Sequence, residues 1–196
     1  MNSELTNIVL DWVKPNAKVI DLGCGDGSLL KELVLKKQVI GYGIENDPEE
    51  INACIINGIS VIQQDIDAGL ENYFGMGFDV AVMASSIQCL KRPRFALRNI
   101  LKIAAEGVIT LPNFGNWELR MGLLKGRMPS SAELPAKWYD TTNLHLCTIA
   151  DFEELCDEEG FIIKKKVYLG KGGRSSWLAR SWPNLFAVEA VYLLGN

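Results

Sequence analysis

The chain has 196 residues, 48% hydrophobic and 22% charged, ordinary proportions for a globular protein and length enough for one domain with a full core. Its net charge of −4 gives no overall attraction to nucleic acid, and no run approaches the roughly 18 uncharged apolar residues of a membrane-spanning helix. Met1-Asn2-Ser3-Glu4 lacks the basic region of a secretory signal, and five scattered cysteines (24, 54, 89, 147 and 156) with no C-x-x-C read as reduced thiols, which together fit a cytoplasmic protein without zinc.

Leu5, Ile8, Val9 and Trp12 recur at helical spacing, and Pro15 closes that helix. The apolar run Ala17 to Ile20 then leads into Asp21-Leu22-Gly23-Cys24-Gly25-Asp26-Gly27, followed by Leu29, Leu30, Leu33 and Val34 at helical spacing. This is strand, glycine-rich turn, helix. Glycines at alternate positions let the backbone approach a ligand closely, since no Cβ intervenes. The helix N-terminus beyond them offers free N–H groups and a partial positive charge. The dinucleotide fingerprint is spaced G-x-G-x-x-G. Here the spacing is G-x-G-x-G with Asp21 two positions ahead. A carboxylate there would repel a pyrophosphate and attract an ammonium. The motif therefore favours an amine-bearing ligand such as S-adenosylmethionine, and it resembles the first motif of class I methyltransferases.

Val39 to Ile44 is the next strand, with Glu45 at its C-terminal end. An acidic residue about 20 positions past the glycines is placed to accept hydrogen bonds from ribose hydroxyls. Asp47-Pro48-Glu49-Glu50 is a helix start, Ile51, Cys54 and Ile55 give that helix an apolar face, and Asn57-Gly58 ends it. Ile59 to Gln63 is a third strand, followed by Asp65. Phe78 to Ala84 is an almost continuous apolar run, expected of a strand covered on both faces. Pro93 opens a helix carrying Phe95, Leu97, Ile100 and Leu101, and Gly107 to Leu111 is a fifth strand. Thr148 to Asp151 resembles a capping box before Phe152, Leu155 and Cys156, with Gly160 as C-cap. Phe161 to Leu169 and Phe186 to Leu194 are two final strands with no helical pattern between them, so an antiparallel pair is expected.

Alternation of strand and helix argues a parallel sheet with right-handed crossovers. The expected architecture is α/β: a class I methyltransferase (Rossmann-like) fold with a seven-stranded, mostly parallel sheet, an antiparallel last strand and helices on both faces. Two segments lie outside this scheme. Pro112 to Cys147 is long enough to be functional, and it carries Phe114, Trp117, Trp138, Tyr139 and the sole histidine, His145. Asn116 is placed to cap a short helix whose Trp117, Met121 and Leu124 share a face, with Met121 expected in the core. Lys171 to Asn184 adds Trp177, Trp182, Arg174 and Arg180. Such aromatics either cap the sheet or anchor a partner, since Trp and Arg dominate interface energy.

Several blocks narrow the resemblance. Val19 to Gly27, Gly43-Ile44-Glu45, Gly58 to Gln63, Leu111-Pro112-Asn113-Phe114-Gly115-Asn116-Trp117, Lys125-Gly126-Arg127-Met128-Pro129 and Trp138 to His145 are similar to the methionine-biosynthesis MetW family nearly end to end. The resemblance implies a role in methionine synthesis and association with a homoserine O-acyltransferase. It implies S-adenosylmethionine or S-adenosylhomocysteine as cofactor, held by Asp21, Gly23, Cys24, Gly25, Gly27, Glu45 and Asn46. Asp65 and Ile66 would flank the adenine, and Ala84 would end the fourth strand beside it. Where the family places a Ser-Gln-Thr-like stretch, this chain has Ser85-Ser86-Ile87.

Methyl transfer needs mainly positioning and desolvation, because the sulfonium already supplies the electrophile. A sequence therefore signals the cofactor well and an acceptor poorly. His145 is the candidate base, by virtue of an imidazole that titrates near neutrality, against a structural histidine bonded to backbone. Asp140 and Tyr139 fit an acceptor site, or equally a turn and an aromatic plug. Two functions follow: a cofactor-binding partner of an acyltransferase, or a methyltransferase acting on a small molecule.

Overall fold

The computed structural model describes residues 3–128, 130, 131, 134 and 137–195. Met1, Asn2 and Pro129, named above, lie outside the described residues, as do positions 132, 133, 135 and 136 of the 112–147 segment.

The chain runs α1 (Ser3–Trp12), β1 (Lys18–Leu22), α2 (Ser28–Lys37), β2 (Ile40–Glu45), α3 (Pro48–Ile56), β3 (Val61–Gln63), β4 (Phe78–Ala84), α4 (Pro93–Ile103) and β5 (Ala104–Pro112). It continues with α5 (Trp117–Leu124), α6 (Ile149–Glu159), β6 (Ile162–Leu169), α7 (Trp177–Ser181), α8 (Pro183–Phe186) and β7 (Glu189–Gly195). The sheet order is β3-β2-β1-β4-β5-β7-β6. β1 to β5 pair in parallel, and β7 runs antiparallel to both neighbours. The expected antiparallel pairing of the last two strands is present, with β7 inserted between β5 and β6. A β-bulge between Ile163 and Lys165 bends β6, which forms one edge of the sheet; the three-residue β3 forms the other.

Helices cover both faces. On one, Leu5 and Val9 of α1 and Leu30 and Leu33 of α2 pack on Val19, Val80, Val108 and Val191. On the other, Leu97 and Ile100 of α4 and Phe152 of α6 pack on Ile20, Met83, Ile109 and Tyr192. Burying each such side chain contributes roughly 1.5–3 kcal/mol. The capping signals act as the sequence predicts: Asp47 accepts from the Glu49 N–H at 2.9 Å, and Thr148 and Asp151 form a reciprocal box. Among the described residues no helix is long and apolar enough to cross a membrane.

Several local expectations fail. Cys54 alone is fully buried on α3, while Ile55 and, on α2, Val34 are exposed. Phe186 belongs to α8 rather than to the last strand. Two short helices, α7 and α8, occupy the connection read as non-helical. With five and four residues they are too short to display a period, although Ser176 caps α7 by accepting from the Ala179 N–H at 3.1 Å. Asn116 caps α5 as read, accepting from the Glu118 N–H at 3.0 Å. The face shared by Trp117, Met121 and Leu124 points outward, however, and Met121 is 42% exposed where a core position was expected. Leu119 is the residue that α5 buries.

Candidate functional site

The strand order reverses at β1, with β2 on one side and β4 on the other, and the crevice at such a switch point is where open α/β sheets place ligands. Asp21 sits there, beside Gly43 of β2 and Val82 of β4. It is buried, and its Oδ1 has no hydrogen-bond partner among the described residues. Burial, and next the nearby Glu45 carboxylate, push its carboxyl from the ordinary 3.8 up to about 7. A buried, unpartnered acceptor of this kind is costly unless a donor arrives.

Glu45 ends β2 and holds the glycine turn in place. Its Oε2 accepts from the Gly25 N–H at 2.9 Å, and its Oε1 accepts from the N–H groups of Asn46 at 2.7 Å and Asp47 at 3.1 Å. The turn is sharp, with Gly23, Gly25 and Gly27 all in the left-handed region. The Cys24 side chain packs beneath the turn, its Sγ 3.6 Å from that of Cys54, and burial pushes both thiols up. Cys24 is therefore inward-facing, and only its main chain is placed to meet a ligand. Asp65 caps the turn 66–68 by accepting from the Asp67 N–H at 2.9 Å. Ile66 is buried beneath Gly23, Ala84 is half-buried at the end of β4, and Asn46 is exposed.

Ser86, absent from the sequence-derived set, closes the crevice floor. Its Oγ donates to the Leu22 carbonyl at 2.9 Å, and its Cβ lies where a side chain on Gly23 would go. His145 is exposed, and its backbone N–H donates to the Gln88 carbonyl at 3.0 Å, as does that of Leu144 at 2.9 Å. Tyr139 is exposed, edge-on to Trp138.

The glycines do different work. A Cβ on Gly27 would meet Cys54 Sγ at 2.9 Å and Ile59 carbons at 3.2 Å and 3.3 Å, whereas one on Gly25 would meet only Glu50 Oε2, at 3.8 Å. A side chain at 25 thus projects into open crevice and one at 27 into protein. Gly27→Ala should lose about 2–4 kcal/mol of stability through strain and overpacking together, and Gly25→Ala about 1–2 kcal/mol through backbone strain alone. Denaturant unfolding of both variants checks this. Equal losses would refute the assignment of Gly25 to the open crevice.

With this geometry in hand, known proteins give a consistent result. The family model described as "Methionine biosynthesis protein MetW" matches residues 4–194. The chain belongs to the MetW family. It is 28% identical over 193 residues to a curated relative from Rhodopirellula baltica named as a bifunctional methionine biosynthesis protein MetXA/MetW. That alignment takes in 93% of this chain but 31% of the relative, so the chain spans about a third of the length of the curated relative it matches. Among solved structures, a SAM-dependent methyltransferase from Archaeoglobus fulgidus superposes with a TM-score of 0.70 at 15% identity, covering 97% of this chain and 90% of that one. One from Thermotoga maritima gives 0.68 at 16% identity, covering 98% and 87%. The [4+2]-cyclase SpnF gives 0.69 at 15% identity, covering 98% and 80%. The fold is that of class I methyltransferases, and the cyclase shows that it also serves other chemistry.

Proposed function

We propose that this MetW-family chain binds S-adenosylmethionine or S-adenosylhomocysteine in the crevice at Asp21 and acts as the bound partner of a homoserine O-acyltransferase. The buried, unpartnered Oδ1 of Asp21 carries the first half of the reading. An amino-acid ammonium supplies the missing donor and a compensating charge. The open space over Gly25 admits the ligand backbone. Glu45 would accept from the ribose hydroxyls, with Asn46 beside it. Asp65 and Ile66 would border the adenine, with Ala84 at the end of β4. When bound, S-adenosylmethionine would bring a sulfonium methyl. This chain's residues would hold the ligand and exclude water.

The second half rests on the fused relative, in which a MetXA and a MetW unit share one polypeptide, and on a surface suited to a partner. Trp117, Trp138, Trp177 and Trp182 are 46%, 70%, 69% and 56% exposed, so none fills the core. The segments that follow β5 and β6 are also fastened together. Asn113 Nδ2 donates to the carbonyls of Asn184 at 3.2 Å and Ala187 at 2.8 Å, and Lys171 pairs with Glu118 at 2.9 Å. The alternative, methyl transfer to a small molecule, is favoured by the methyltransferase neighbours and is tested by following S-adenosylhomocysteine production with metabolite extract.

Calorimetry should show wild type binding either ligand. Glu45→Ala should weaken binding by about 1–3 kcal/mol, the range for a lost partly buried acceptor. Folded wild type that binds neither ligand would overturn the cofactor assignment. Failure to co-purify with the acyltransferase from native extract would overturn the partner role.

A further inference from the structure

Residues 161–188 are electrically unlike the rest of the chain. Their charged side chains, Lys164, Lys165, Lys166, Lys171, Arg174 and Arg180, are all cationic, in a protein whose net charge is −4. The lysines are engaged within the fold. Lys164, Lys166 and Lys171 pair with Glu106, Glu153 and Glu118, and Lys165 lies over the Trp12 ring, 5.9 Å from its centroid. The arginines are not. Arg174 and Arg180 are exposed, and neither guanidinium has a hydrogen-bond or ion-pair partner among the described residues.

These cations stand beside exposed aromatic rings. An open hollow of about 540 Å³ is lined by Arg180, Trp177 and the hydroxyl-bearing Ser175, Ser176 and Ser181. The Trp177 ring meets Trp182 at 5.9 Å, and Trp182 meets Phe186 at 6.4 Å. The fully buried Ala179 and the Ser176 cap fasten α7 to the domain, so the rings and the guanidinium of Arg180 sit on an anchored element. An arginine fork matches the two oxygens of a carboxylate, and tryptophan with arginine is the pairing that carries binding energy between proteins. Two uncommitted cations are few for a polyanion: proteins on DNA neutralise about 6–10 phosphates, and lipid-reading clusters hold about 4–8 Lys/Arg.

Resting on the acyltransferase partnership set out above, we propose that this surface docks an acidic patch of that enzyme, in which Asp or Glu carboxylates meet Arg174 and Arg180 while an apolar side chain covers Trp177 and Trp182. The charges set the rate and orientation of encounter, and ring burial sets the lifetime of the complex.

The test follows binding of the purified homoserine O-acyltransferase of the same organism to the full chain by surface plasmon resonance, at about 50 mM and about 500 mM salt, a range over which exposed charges become screened. Wild type should associate about tenfold or more faster at the lower salt. Arg174→Glu with Arg180→Glu should weaken the complex about tenfold or more at low salt, chiefly through slower association, and should abolish the salt dependence. Arg174→Gln with Arg180→Gln, a milder pair, should lose about threefold or more. Lys14 and Lys37 lie at the opposite end of the sheet, before β1 and β2, and Lys14→Glu with Lys37→Glu makes the same change in net charge there. That control should stay within about twofold of wild type. Equal losses in the control and in the arginine pair overturn the proposal, since net charge alone would then govern encounter. Full affinity in both arginine pairs, each with a native spectrum, overturns it and leaves the partnership standing. Wild type that does not bind the acyltransferase at either salt overturns the partnership and the acidic dock with it. Capture of phosphatidylglycerol–phosphatidylcholine vesicles or of duplex DNA that is lost in the arginine pairs, while acyltransferase binding is kept, overturns the dock in favour of that polyanion.

Discussion

Asp21→Asn should bind S-adenosylmethionine on the order of 10–100-fold more weakly than wild type at pH 8, from loss of a hydrogen bond between charged partners in a buried site. The same substitution should make the ligand-free protein more stable. The Asp21 carboxyl lies at about 7 in the folded chain against an ordinary 3.8, with burial the larger cause and Glu45 the lesser. As pH rises past 3.8 the unfolded chain releases this proton while the folded chain retains it, so folding stability falls from there until the folded group ionises near 7. That interval is worth on the order of 4 kcal/mol. Asparagine carries no such penalty. Its stability advantage should be largest above pH 7 and shrink steadily toward pH 4, as read by denaturant unfolding at several pH values. Ligand binding should follow the opposite course in wild type. An ammonium favours the ionised carboxylate, so affinity should rise with pH up to about 7, and binding at pH 6 should release a proton into the buffer. A wild-type affinity that is flat from pH 5.5 to 8, with no proton release, would refute the pairing of Asp21 with the ligand amine.

The second large effect concerns Trp177 and Trp182. Their rings meet edge-to-face at 5.9 Å and both are more than half exposed, so they form a ready-made aromatic pair rather than part of the core. If the acyltransferase seats on this pair, Trp177→Ala should cost roughly 2 kcal/mol or more of binding with little change in melting temperature. A buried tryptophan would instead cost the isolated chain about 3–5 kcal/mol of stability. Leu35, 69% exposed on α2, provides a control, and Leu35→Ala should leave partner binding unchanged. Measuring affinity and melting temperature on wild type and on the three variants Trp177→Ala, Trp182→Ala and Leu35→Ala decides between the readings. Full affinity in Trp177→Ala and in Trp182→Ala would remove this surface from the complex.

What the sequence revealed and concealed follows from how each signal is written in it. The crevice was legible because its determinants are local: Asp21, the glycines and Glu45 fall within one strand–turn–helix–strand unit, and each residue type has a steric or electrostatic reason to be there. β4 was legible because burial on both faces leaves an unbroken apolar run. The outward stripe of α5 was not, since Trp117, Met121 and Leu124 show the same spacing whether they meet a core or a partner. α7 and α8 escaped because five and four residues carry no period. The approach of Glu189 to Ser85, 3.5 Å between Oε1 and Oγ, escaped because it depends on β7 lying beside β5, a pairing between distant segments. One clue was present: Glu189 is a charge at the head of a strand whose remaining residues are all buried and uncharged.

The two borders of the sheet have a consequence for how this protein meets others. An unpaired strand invites hydrogen bonding with a strand of another molecule, the route to uncontrolled polymers. Here β3 offers only three residues, and β6 offers a kinked ribbon carrying Lys164, Lys165 and Lys166, of which Lys164 pairs with Glu106 and Lys166 with Glu153. Kinking and cationic side chains both discourage lateral growth. Association by sheet extension is thereby disfavoured at either border, so the proposed partner would have to dock on side chains rather than on a sheet edge.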